Sequence, residues 1–110
     1  MEKKGLPELI AYAGPIETTD NYATALKIKL LPQTSKAMVH IKELNVNDID
    51  WKILGSIDDS IYFEEMTDTS VTKNDSDAHE VTKAWIYLDI QVKSTMSNDS
   101  GEIAVAVSGA

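Results

Sequence analysis

Few side chains in this sequence are able to do chemistry. There are two imidazoles, His40 and His79. His40 falls at an outward position of an alternating segment bracketed by Lys36 and Lys42, where neighbouring positive charge disfavours a protonated ring. His79 stands beside Asp75, Asp77 and Glu80, and one imidazole with hard carboxylate oxygens can hold a divalent ion. No ligand motif fixes the spacing of these groups, so a solvated acidic loop is expected and no metal is assigned. Asp48, Asp50, Asp58 and Asp59 form a second acidic group. They lack the glycine-centred calcium loop, and adjacent aspartates in a turn are explained by bonds to local backbone. Hydrolysis by paired carboxylates needs two groups at a set separation across a cleft, which nothing here specifies. No nucleophile elbow, phosphate loop or zinc-helix motif is present. With no cysteine there is no thiol nucleophile, disulfide framework or thiolate metal site. The expectation is a protein that is not an enzyme and carries no cofactor.

Aromatic residues offer a second kind of chemistry. Trp51, Trp85, Tyr62 and Tyr87 would serve as a sugar-stacking platform if they shared an exposed face. A tryptophan in an alternating strand is more often core filler with its ring N–H satisfied. Trp51 is expected in the core, and Trp85 with Tyr87 is the candidate exposed aromatic face.

Composition narrows the partners. The formal charge is -8, and all ten cations are lysine, with no arginine. Arginine provides the bidentate fork for phosphates and guanine edges, and a net negative chain repels the phosphate backbone. Nucleic acid is therefore not an expected partner. No segment approaches the roughly 20 apolar residues of a membrane-spanning helix. Lys3 and Lys4 are followed by Glu8 rather than a long apolar stretch, so neither a signal peptide nor membrane association is expected.

The elements that must position these side chains read as strands. The central stretch is 49–65, where Ile49, Trp51 and Ile53 alternate with Asp50, Lys52 and Leu54. Gly55 and Ser56 break the run, Asp58, Asp59 and Ser60 make a turn, and Ile61, Tyr62 and Phe63 resume it before Glu64 and Glu65 return the chain to water. Upstream, Leu26, Ile28 and Leu30 alternate with Lys27 and Lys29, residues 32–35 form a turn, and Ala37, Val39 and Ile41 mark the next strand. Residues 67–80 are nearly all polar, with a short edge strand at Val71 and Thr72 and a loop through Asn74 and Asp77. A long strand over 84–94 presents Ile86, Leu88, Ile90 and Val92 on one face. After a turn at 97–101, Ile103, Val105 and Val107 point inward, while Ala104 and Ala106 are small enough to lie under a neighbouring chain.

Strands at this spacing predict an all-β fold, a small antiparallel β-sandwich (jelly-roll-like) of about six to eight strands. Residues 1–22 are set apart by two prolines and two glycines around a short apolar patch. They are expected to be an extended N-terminal arm on a sandwich domain of residues 23–110. Leu6, Leu9, Ile10, Tyr12 and Ile16 are its candidate partner-binding residues, docking on a neighbouring subunit.

The run from Trp51 to Ser60 and the later strand from Ala84 to Lys93 resemble the hairpin-and-strand pattern of discoidin-like domains. They also resemble short, cysteine-free structural proteins of tailed bacteriophages. The second resemblance implies a virion component, a capsid decoration or head-associated protein, assembled in the host cytoplasm. Its partners would be its own copies in a closed homo-oligomer, such as a trimer, and a major capsid or other virion protein. The first implies a carbohydrate-binding β-sandwich module as the alternative.

Overall fold

The structure is a computed structural model that describes residues 8–30, 36–44, 48–72, 75–95 and 101–109. The turns expected at 32–35 and 97–100, together with Leu6 and Asn74, lie outside the described residues. Eight strands follow one another: β1 (Glu8–Glu17), β2 (Ala23–Lys29), β3 (Ala37–Glu43), β4 (Ile49–Ser56), β5 (Phe63–Val71), β6 (Ser76–Glu80), β7 (Tyr87–Ser94) and β8 (Glu102–Gly109). They form two four-stranded sheets, ordered β1-β8-β3-β6 and β2-β7-β4-β5, with antiparallel pairing throughout. The first strand pairs with the last, the second with the seventh, the third with the sixth and the fourth with the fifth. This nesting is that of a long hairpin rolled up into two sheets, the jelly-roll arrangement.

The core is built by the strands at the centre of each sheet. Val39, Ile41, Ile103, Val105 and Val107 of β3 and β8 face Ile49, Trp51, Ile53, Leu88, Ile90 and Val92 of β4 and β7, all buried. Each comes from the apolar half of a period-two alternation, as one covered sheet face requires. Burial of each such side chain contributes roughly 1.5–3 kcal/mol. Trp51 is the largest of them, but its ring N–H has no hydrogen-bond partner among the described residues, contrary to the expectation for a core tryptophan.

Residues 8–17 do not form a separate arm. They are strand β1, paired with β8 from Glu8↔Gly109 to Glu17↔Glu102. Proline lacks the N–H of a central strand but is accommodated on an edge and at a bulge. Both conditions hold here: β1 is an edge strand, and its register shifts between Ala13 and Ile16, around Pro15. Gly14 has a φ of +152°, and a Cβ there would stand 2.8 Å from Ala104. A side chain would push β1 off β8 at this point.

Other expectations change: β4 runs on through Gly55 and Ser56, and β5 begins at Phe63 rather than Ile61. The polar stretch 67–80 contains the second half of β5 and all of β6, not a short strand and a loop. The strand expected from Ala84 begins at Tyr87, which leaves Trp85 and Ile86 in the connection before it.

Candidate interaction surface at one end of the sandwich

The β4–β5 and β6–β7 connections lie at the same end of the molecule, since the Ile86 amide donates to the Ser56 carbonyl (3.0 Å). Glu65, on β5, draws them together. Its Oε2 accepts from His79 Nε2 (2.7 Å) and the Thr82 hydroxyl (3.0 Å), and its Oε1 accepts from Trp85 Nε1 (2.9 Å) and the Lys83 amide (3.3 Å). The Thr82 amide lies 3.2 Å from both oxygens. Burial alone would raise this carboxyl, but the bonds from His79, Trp85 and Thr82 outweigh it and hold the group below its ordinary range. His79 therefore sits in strand β6, not in a solvated loop, and it ties one sheet edge to the other.

The same connection places the Trp85 ring directly over Gly55, where any Cβ would fall inside the indole. Phe63, paired with Gly55 across the hairpin, stacks against it with centroids 6.1 Å apart and planes 13° from parallel. Trp85 thus plugs the end of the core, and its N–H is occupied.

The β4–β5 turn beside it is internally braced. Asp58 Oδ1 accepts from the Ser60 amide (2.9 Å), the Ile61 amide (3.0 Å) and the Ser56 hydroxyl (3.0 Å). These bonds hold its carboxyl below the usual range, the backbone amides of Ile61 and Ser60 contributing most. Asp59 has a left-handed φ of 62°, which aspartate tolerates. It accepts the Tyr62 hydroxyl and pairs with Lys27 Nζ at 2.9 Å, and these two partners lower its carboxyl as well. The acidic pair of the sequence is thus a turn device.

On this braced frame the apolar side chains face water. Ile57 is 64% exposed, Ile61 61%, Phe63 58% and Ile86 40%. A turn whose polar groups are satisfied internally while its isoleucines project outward forms a rigid apolar tip. Surface of this kind is a usual mark of an interface.

The residues singled out from the sequence are distributed differently. Leu9 and Tyr12 are exposed on the outside of β1, whereas Ile10 and Ile16 pack on the core. Trp85 and Tyr87 do not form one exposed aromatic face. Trp85 is turned onto Gly55, and Tyr87 lies under Lys29 Nζ, 5.9 Å from the ring centroid. His40 is outward, with Nε2 3.1 Å from the Ser108 hydroxyl. Asp50 accepts from Ser70 (2.7 Å) and Thr95 (3.2 Å). Among the described residues no group of three or more His, Asp or Glu is arranged to hold a metal ion. Nor is any helix among them long and apolar enough to cross a membrane. Ile57, Ile61, Phe63, Glu65 and Ile86 were not picked out as site residues by sequence reasoning. The available signal was the pair of isoleucines flanking a three-residue polar turn, where solvent-facing residues are the rule.

No protein-family model matches the chain, and no curated protein sequence is significantly similar to it. Solved structures share its fold, among them the following two. Tripeptidyl peptidase 2 superposes with a TM-score of 0.60 at 9% identity, over 86% of this chain and 9% of that one. PirA superposes with a TM-score of 0.57 at 10% identity, over 92% of this chain and 95% of that one. The chain therefore spans about a tenth of the peptidase but nearly all of PirA. At these identities the likeness is one of fold.

Proposed function

We propose that this chain is a non-enzymatic structural protein of a virion, a bacteriophage capsid decoration or head-associated protein that acts through protein–protein contacts. The observation that carries the reading is the rigid apolar tip of Ile57, Ile61, Phe63 and Ile86. A turn backbone already fixed by its own bonds loses little freedom on docking, which favours a permanent contact. The sequence resemblance to phage structural proteins supports the virion as the place of that contact. Residues 8–17 are already paired with β8 and are not available for donation to a neighbour, so the contact is assigned to the tip.

The test is protein identification by mass spectrometry on density-purified particles from the source culture. The chain is expected at high copy number beside a major capsid protein. Recombinant protein should rebind particles stripped of it, and Ile57→Asp with Ile61→Asp should abolish rebinding while leaving the circular dichroism spectrum unchanged. Particles that lack the chain while the lysate contains it would sink the proposal.

A further inference from the structure

The edge strands of the sandwich differ in what keeps them from taking on a further strand. An open edge is a template for pairing with another chain, and bulges are a common means of spoiling it. The pairings of β1 and β5 each shift register twice and that of β2 shifts once. Strand β6 has no such shift: it pairs with β3 at five successive positions, from Lys42↔Ser76 to Met38↔Glu80. The ends of this ladder fix which backbone groups it uses. The Glu43 amide donates to the Asp75 carbonyl (2.9 Å), and the Val81 amide donates to the Ala37 carbonyl (2.8 Å). Alternation along an antiparallel pair then turns the backbone groups of Ser76, Ala78 and Glu80 to the open side. All three residues are exposed. Two of these outward amides are nevertheless occupied. The Ser76 amide donates to Asp75 Oδ1 (2.9 Å), and the Ala78 amide donates to Asp77 Oδ1 (2.8 Å).

We infer that Asp75 and Asp77 guard this edge against a second copy of the chain, and that without them β6 pairs with the same strand of that copy. The segment suits such pairing. An antiparallel arrangement about a two-fold axis at Ala78 sets Ala78 against Ala78 and Ser76 against Glu80, with no bulky or like-charged pair on that face. It would draw on the Ser76, Ala78 and Glu80 amides of each copy. The two carboxylates leave only the Glu80 amide for it. Exchanging a charged acceptor for a neutral carbonyl gains little, since charge-assisted hydrogen bonds are roughly twice as strong as neutral ones. The pairing would also gather Asp75 and Asp77 of both copies along one seam, in a chain that already carries -8. The aspartates thus do on β6 what register shifts do on the other edges.

The test is sedimentation velocity of the full chain beside Asp75→Ala with Asp77→Ala, over a range of concentrations. The double variant is expected to reach twice the native mass where the native mass stays constant. Adding Ala78→Pro removes the central outward amide at an edge position, where proline is tolerated, and should restore the native mass. A second measurement needs no substitution. In hydrogen exchange of the native protein, the Ser76 and Ala78 amides should be slowed, relative to their unfolded rates, about fivefold more than the Glu80 amide, the worth of one net hydrogen bond. A double variant with native circular dichroism whose mass does not rise overturns the guard, and so does a rise that survives Ala78→Pro. Equal slowing of the three amides would mean that the carboxylates do not hold them, which overturns it as well.

Discussion

Glu65 shows how a single side chain acquires a role that its neighbours in sequence do not announce. Beside Glu64 it reads as a return to solvent, yet its carboxylate is fully covered, with 0% side-chain exposure. Its donors lie 14 to 20 residues downstream, so only the rolled-up chain brings them together. Glu65→Gln replaces one acceptor with an NH2 group facing N–H donors, leaving buried groups unpaired. A loss of about 2–3 kcal/mol is expected in urea unfolding. His79→Ala should cost less, about 1 kcal/mol, because Thr82, Lys83 and Trp85 still donate to the carboxylate. Equal losses in the two variants would show that the bond from His79 alone matters. Trp51 is the opposite case. Its place in the core was legible from the alternation of Ile49, Trp51 and Ile53, while the unpaired ring N–H was not, since it depends on what lies across the sandwich.

Among the elements, legibility follows position in the sheet. Strands β3, β4, β7 and β8 are central, covered on one face along their length, and each shows period-two alternation in sequence. Strands β1, β2, β5 and β6 are edges, where one side lacks a strand neighbour and the pattern is free to drift; β2 keeps its alternation of Leu26 and Ile28 with Lys27 and Lys29, but the other three do not. This is why the prolines of β1 suggested an arm and the polar run of β5 and β6 suggested a loop. The candidate site suffered the same way. The exposure of Ile57 and Ile61 depends on the Asp58 bonds that fix the turn, and the positions of Phe63 and Trp85 depend on Gly55. Two substitutions test that frame. Gly55→Ala should destabilise by about 2 kcal/mol, since the added methyl drives the indole off the core end; an unchanged urea midpoint would place Trp85 elsewhere. Asp58→Ala should abolish hydrogen-exchange protection of the Ser60 and Ile61 amides while protection in β7 stays native. Retained protection at both amides would mean that the carboxylate is not what braces the turn.

At the scale of the whole molecule, two opposing effects set the response to acid. The chain carries -8 near neutrality, so protonation toward its isoelectric point of about 4.5 relieves self-repulsion and favours the compact state. Against this, Glu65, Asp58 and Asp59 are held below their ordinary values of 4.5 and 3.8. Below those values the unfolded chain binds protons at these sites before the native protein does. Stability from these groups is therefore complete above the unfolded values and is lost as pH falls through the folded ones. Self-repulsion acts on the whole chain, but Glu65 acts through one buried site, and a pair of proteins separates them. The difference in unfolding free energy between the native protein and Glu65→Gln should be full above the ordinary carboxyl value of 4.5 and should narrow as the solution is taken below it toward pH 3. Urea titrations of both proteins across that range measure it directly. A difference that stays constant down to pH 3 would mean that the shape of the Glu65 side chain, rather than its charge, holds the β6–β7 connection to β5. A difference that closes would establish the carboxylate as the acid-sensitive fastening of the end that presents Ile57, Ile61 and Phe63.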